Sequence, residues 1–175
     1  MAGSAINIPL FKVKSKEPIV VFKEVKWFGI YFRVPVYEVQ EMTTVVAVNV
    51  GGAIVPTYAA IMIIIRNVHY LPIFFLSVVL VSLAVNFFAR PVRGLGIVTP
   101  LFVPPLFAAL VAMLLSPYNP APVAYVSGVL GALIGADLMN LHRIGKLGSP
   151  MVSIGGAGTF DGIFLTGIIA VFLAW

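Results

Sequence analysis

Apolar residues are distributed unevenly along this chain. Residues 43–175 consist of long runs of Val, Ile, Leu, Ala and Phe with few charges, whereas residues 6–41 alternate short apolar runs with Lys, Glu and Gly. The long runs fall at Thr43–Ile65, Leu71–Ala89, Leu95–Leu115, Ala121–Leu141 and Val152–Trp175, each near the ~20 residues a helix needs to cross a bilayer. They predict an all-α polytopic membrane bundle of about five transmembrane helices. In the N-terminal part, runs such as Ile19–Phe22 and Ile30–Phe32, punctuated by Pro18, Gly29 and Pro35, predict two or three strands in a small meander. The chain thus divides into a β-rich segment, residues 1–42, on the cytoplasmic or interfacial side, and a transmembrane helical domain, residues 43–175. Trp27, Phe28, Tyr31, Phe32 and Tyr37 in the first segment suit the headgroup layer, where rings find apolar and polar surroundings together.

Composition agrees with a membrane protein: 61% of residues are hydrophobic, 10% are charged and the mean hydropathy is +1.08. There is no cysteine, hence no disulfide framework or thiolate chemistry. The first ten residues lack the basic-then-apolar layout of a signal peptide, so the first spans are expected to direct insertion. The net charge of +5 belongs to topology and not to nucleic acid, because the basic residues are not gathered with aromatics into a nucleic-acid module. With five crossings, Lys12, Lys14, Lys16, Lys23, Lys26, Arg33, Arg90, Arg93, Arg143 and Lys146 share one side and only Arg66 lies on the other. Basic loops stay in the cytoplasm. The expected protein is therefore integral to the membrane, with a cytoplasmic N-terminus and an external C-terminus.

Against this background two acids stand out. Asp137 and Asp161 are the only carboxylic side chains after Glu41, and both lie within apolar runs, where an ionisable group is costly and marks a functional site by default. Asp137 falls four residues from the inner end of the fourth predicted span, about 6 Å deep at the helical rise per residue. Asp161 enters to a similar depth if the fifth helix starts near Gly156. The short connection between the two spans makes them antiparallel neighbours. Gly131 and Gly135 before Asp137, and Gly155, Gly156, Gly158 and Gly162 around Asp161, allow close helix approach or irregular backbone beside a polar cavity. Two adjacent carboxylates in a poorly solvated site share a proton, which makes the pair an acid and a base. That is the requirement for hydrolysing a peptide bond: one carboxylate activates water while the other polarises the carbonyl. Two other readings fit the same residues. The carboxylates can serve a proton- or cation-coupled transporter or channel subunit, or they can sit near the interface, paired with Arg143 or Lys146, and only fix helix register within a scaffold that needs oligomerisation or a partner.

The stretches Ala47–Ala53, Ile134–Leu138 and Ser153–Gly167 resemble signatures of a prokaryotic membrane family, domain of unknown function family 1614. More distantly, Asp161 with its preceding glycines and following Ile163-Phe164 resembles the Gly-x-Gly-Asp region of presenilin-type and prepilin-peptidase-type intramembrane aspartyl proteases, with Asp137-Leu138 in the position of the other aspartate. That resemblance implies an intramembrane aspartic endopeptidase acting on single-span membrane proteins, with Asp137 and Asp161 as its dyad. The motif departs from the pattern, since Thr159 and Phe160 separate Gly158 from Asp161 and no proline follows it. Pro105-Leu106 or Pro100-Leu101 is left for the cleft-lining role of the Pro-Ala-Leu motif in presenilin-type enzymes.

Gly135, Gly158, Gly162, Asn49 and Pro105 complete the candidate binding or cavity-lining residues. Asn49, beside Gly51-Gly52 and followed by Pro56, points either to an unwound helix near a polar cavity or to an interhelical hydrogen bond. Asn86 and Asn140 fall near inner helix ends, where water or headgroups can satisfy them. Pro100, Pro104 and Pro105 are expected to kink the third span. His69 and His142 lie in loops on opposite sides, so no metal site is expected. No phosphate-binding or dinucleotide motif is present, so no cofactor is expected either. Lipids, single-span substrates and further copies of the chain are the expected partners.

Overall fold

The computed structural model describes residues 5–92, 96–146, 148–156 and 162–175. Strand β1 (Asn7–Trp27) and strand β2 (Ile30–Asn49) form a long antiparallel hairpin paired from Trp27↔Ile30 to Asn7↔Asn49. At its base β2 pairs in parallel with β5 (Met151–Ile154), from Val45↔Met151 to Val48↔Ile154, which makes a mixed three-stranded sheet in the order β1-β2-β5. Strands β3 (Arg90–Val92) and β4 (Gly96–Val98) form a second, two-stranded sheet.

The helices are α1 (Val55–Arg66), α2 (Leu71–Phe88), α3 (Val103–Leu115), α4 (Pro120–Ala132) and α5 (Gly162–Ala174). Helix α4 is the axle. It touches α1, α2, α3 and α5, and it buries Val123, Ala124, Val126, Ser127, Gly128, Val129, Gly131 and Ala132. Small residues set these distances. A Cβ on Gly131 would stand 2.6 Å from the Val81 side chain, one on Gly135 would collide with the Ser82 carbonyl oxygen, and one on Gly167 would meet Val129 at 2.7 Å. Glycines four residues apart on α4 thus admit α2 to near backbone contact. Helices α2 and α4 run in the same direction, with Val81 and Ser82 against Gly131 and Gly135 at one end, and Phe74 and Val126 lining a common groove toward the other.

This architecture replaces the expected five-span all-α bundle. Among the described residues, two helices are long and apolar enough to cross a membrane: α2 with its 3-10 lead, Val68–Phe88, and α4 with its continuation, Pro120–Ile144. The other three apolar helices are shorter, at Val50–Arg66, Val103–Leu115 and Gly162–Ala174. The reason lies in the composition of the apolar runs. Thr43–Asn49 is rich in β-branched residues, which fit a pleated strand better than a helix, and it forms the end of β2. That strand runs through residue 42, the expected boundary between two parts. Gly96–Val98 and Met151–Ile154 are likewise strands at the start of runs read as helix. Pro104 and Pro105 do not kink a span; they sit in the first turn of α3, where a missing N–H breaks no bond.

Replacing Gly135 with Ala forces α2 and α4 apart and should cost about 1–3 kcal/mol of stability. Gly128→Ala, whose new methyl meets nothing nearer than 3.3 Å, should cost less than about 1 kcal/mol. Denaturant titration of the two variants in the same detergent measures the difference.

Candidate functional site

The candidate site lies where the sheet meets the end of α4. Strands β2 and β5 run parallel and end side by side, and each is followed by a glycine pair: Gly51-Gly52 after Asn49-Val50, and Gly155-Gly156 after Ile154. After β2 the chain enters a π-helical turn, Val50–Ile54, that leads into α1. Asn49 caps it. Its side-chain oxygen accepts from the Gly52 N–H at 2.8 Å, which satisfies one of the donors a helix start leaves open. The Asn49 amide donates to Asn7 Oδ1 at 3.0 Å, and the Ser153 hydroxyl donates to the same oxygen at 2.7 Å. All three strands are therefore tied at one level by side chains, two of them buried.

On the other side, α4 loosens into a π-turn over Leu133–Asp137 and then tightens into a 3-10 helix over Leu138–Lys146. Such irregular turns in helices recur at functional sites. The π-turn places Asp137, half-buried, against the end of β5, where the Gly155 N–H donates to Asp137 Oδ2 at 2.9 Å. Gly155 reaches this position through a left-handed backbone, φ +85°, and Gly156 continues it at +88°. There is no room for a side chain there. A Cβ on Gly155 would lie 2.8 Å from both the Ala53 nitrogen and its Cβ. Three residues beyond Asp137 the chain turns toward α2, and the buried Asn140 amide donates to Asn86 Oδ1 at 3.0 Å and to the Gly135 and Ala136 carbonyls.

A pocket of about 230 Å³ opens beside Asp137, lined also by Val98, Thr99 and Pro104 and by Gly155, Gly162 and Thr166. Thr166 donates its hydroxyl to the Gly162 carbonyl at 2.6 Å. The structure brings together Asp137 and Gly162 from the expected site. It places Gly135 against α2 and Asn49 in the cap at the strand end, and it buries Pro105 in the first turn of α3, while Pro104 reaches the pocket. Asp161 and Gly158 lie outside the described residues.

The same span of sequence holds a signal that residue-by-residue reading misses. Val48-Asn49-Val50-Gly51-Gly52-Ala53 is repeated as Val152-Ser153-Ile154-Gly155-Gly156-Ala157, and the two copies provide the adjoining ends of the parallel strand pair. A match to a family model of proteins of unknown function, DUF1614, extends over residues 1–173. The chain belongs to that family. No curated protein and no solved structure matches it. The DUF1614 match covers both copies of the strand-and-glycine motif as well as both aspartates.

Gly155→Ala adds a methyl where backbone already stands and holds alanine at a disfavoured φ; it should cost at least about 2 kcal/mol. Asn49→Ala removes a cap and should cost about 1 kcal/mol. Thermal unfolding of both variants against the unmodified protein gives the comparison.

Proposed function

We propose that this chain is a membrane-embedded aspartyl hydrolase that cleaves peptide bonds in other membrane proteins with Asp137 and Asp161. The observation that carries the reading is the shared pocket: Asp137 and Gly162, the residue that follows Asp161 in the chain, line the same cavity. Asp161, next to Gly162 in the sequence, is the second carboxylate in this reading. One carboxylate removes a proton from water as its oxygen attacks the peptide carbonyl carbon. The other gives its proton to the carbonyl oxygen, so the transition state never carries a bare oxyanion in a poorly solvated site. Collapse of the resulting diol returns a proton to the amide nitrogen and breaks the carbon–nitrogen bond. The Gly155 N–H holds the Asp137 carboxyl group in orientation throughout.

Membrane embedding is supported by the surface of the bundle. Phe75, Phe87, Leu114 and Phe172 project outward with 73–81% exposure, an apolar exterior that suits lipid and not water. The end bearing the strands, Arg90 and Arg143 is the cytoplasmic end in this reading, because basic residues favour that side. The opposite end carries Arg66, Tyr118 and Trp175, the two rings 99% and 96% exposed as interfacial aromatics are.

The test uses purified full-length protein reconstituted with single-span substrates. Cleavage should fall by about 10³-fold or more in both Asp137→Asn and Asp161→Asn. Cleavage that persists in either variant rejects the dyad, and proton flux into vesicles that depends on the same two residues, without cleavage, assigns them to transport instead.

A further inference from the structure

The β1–β2 hairpin projects its far half without a covering layer, and its tip carries an unusual combination of features. The turn residues Phe28 and Gly29 both have positive φ, +50° and +84°. A two-residue hairpin of this kind calls for Asn or Gly at the first position, and a bulky side chain is disfavoured there. Phe28 nonetheless occupies it, and its ring is 92% exposed. Its aromatic neighbour is Trp27, at 5.6 Å between centroids, and Trp27 is itself exposed. Ile30 and Tyr31 continue the apolar tip on the returning strand. On one face of the ribbon behind it, Val25 pairs with Phe32 and Val21 with Val36, with Lys23 opposite Val34 between them. The charges gather on and around it. Glu24 pairs with Arg33, Lys23 with Glu38, and the Lys26 ammonium stands 5.4 Å from the Tyr31 ring centre.

Strain and exposure at one apolar residue are explained by an apolar medium that receives it. We infer that the tip, Trp27-Phe28-Gly29-Ile30, inserts into the headgroup region of a membrane containing anionic lipid. Residues 23–38 hold Lys23, Lys26 and Arg33 against Glu24 and Glu38, so the insertion tip carries a net charge of +1, complementary to anionic headgroups. The same charge disfavours a second copy of the tip as its partner, since like charges would be brought together. Aromatic rings flanked by lysine and arginine are the side chains that partition to this layer.

Trp27 and Trp175 are the two tryptophans of the chain, so Trp175→Phe leaves Trp27 as the sole reporter. The full-length variant is reconstituted in phosphatidylcholine vesicles with and without phosphatidylglycerol, using acyl chains brominated near the headgroup. Trp27 emission should shift to the blue and be quenched by the bromines, more strongly with phosphatidylglycerol present. Adding Phe28→Gly keeps the turn, because glycine favours positive φ, and should weaken the bromine quenching. Water-like emission quenched by iodide on both sides of the vesicle overturns the proposal. So does blue emission that ignores the bromines but rises with the protein-to-lipid ratio, which would place a second copy over the tip.

Discussion

The bond from the Gly155 amide to the Asp137 carboxyl group joins the two structural systems of this protein. On one side is a sheet whose strands are fixed by pairing and by the Asn7, Asn49 and Ser153 side chains. On the other is the α4 axle, packed so closely that Gly131 and Gly135 leave no space for a methyl group. Neither system has freedom to move toward the other, so the position of the carboxylate follows from both. Gly155 makes the junction because only a residue without Cβ can hold φ +85° while lying against the backbone at Ala53.

The irregular turns on α4 follow from the same constraint. A regular helix through Leu133–Lys146 would carry one face straight to its end. The π-turn at Leu133–Asp137 inserts extra backbone, and the 3-10 segment after it winds more tightly. Asp137 is thereby turned toward β5 while Asn140, less than one α-helical turn later, is buried against Asn86 of α2. A polar group that lines the pocket and a polar group that joins two helices are separated within three residues.

The sequence made parts of this legible and concealed others for physical reasons. Asp137 stood out because a carboxylate in an apolar run is costly, and the spacing of Gly131 and Gly135 signalled a close helix contact, expected against the fifth span and found against α2. Strands were legible in residues 6–41, though as a small meander of two or three and not as one long hairpin, whose end Thr43–Asn49 is apolar enough to be read as a membrane helix. Hydropathy measures burial, and a buried strand is as apolar as a buried helix. Asn49 was noticed but placed inside a helix, whereas it ends a strand and caps the next turn. The parallel pairing of β2 with β5 joins residues about a hundred positions apart in sequence, a separation no local pattern records; only the repeated strand-and-glycine motif hinted at it.

The pocket beside Asp137 opens where strand and glycine backbone stands at positions that a five-span bundle would fill with helix. Helices α3 and α5 begin at Val103 and Gly162, and α4 continues past both as a π-turn and 3-10 helix. The space above their starts is filled by β4, by the end of β5 and by the glycines after it, whose backbone groups are paired in sheets or with Asp137. Irregular backbone in apolar surroundings is tolerated only where each polar group finds such a partner or faces a cavity. A carboxylate meets an open pocket inside an otherwise apolar bundle because β4, the glycines after β5 and the π-turn of α4 come together there in place of continuous helix.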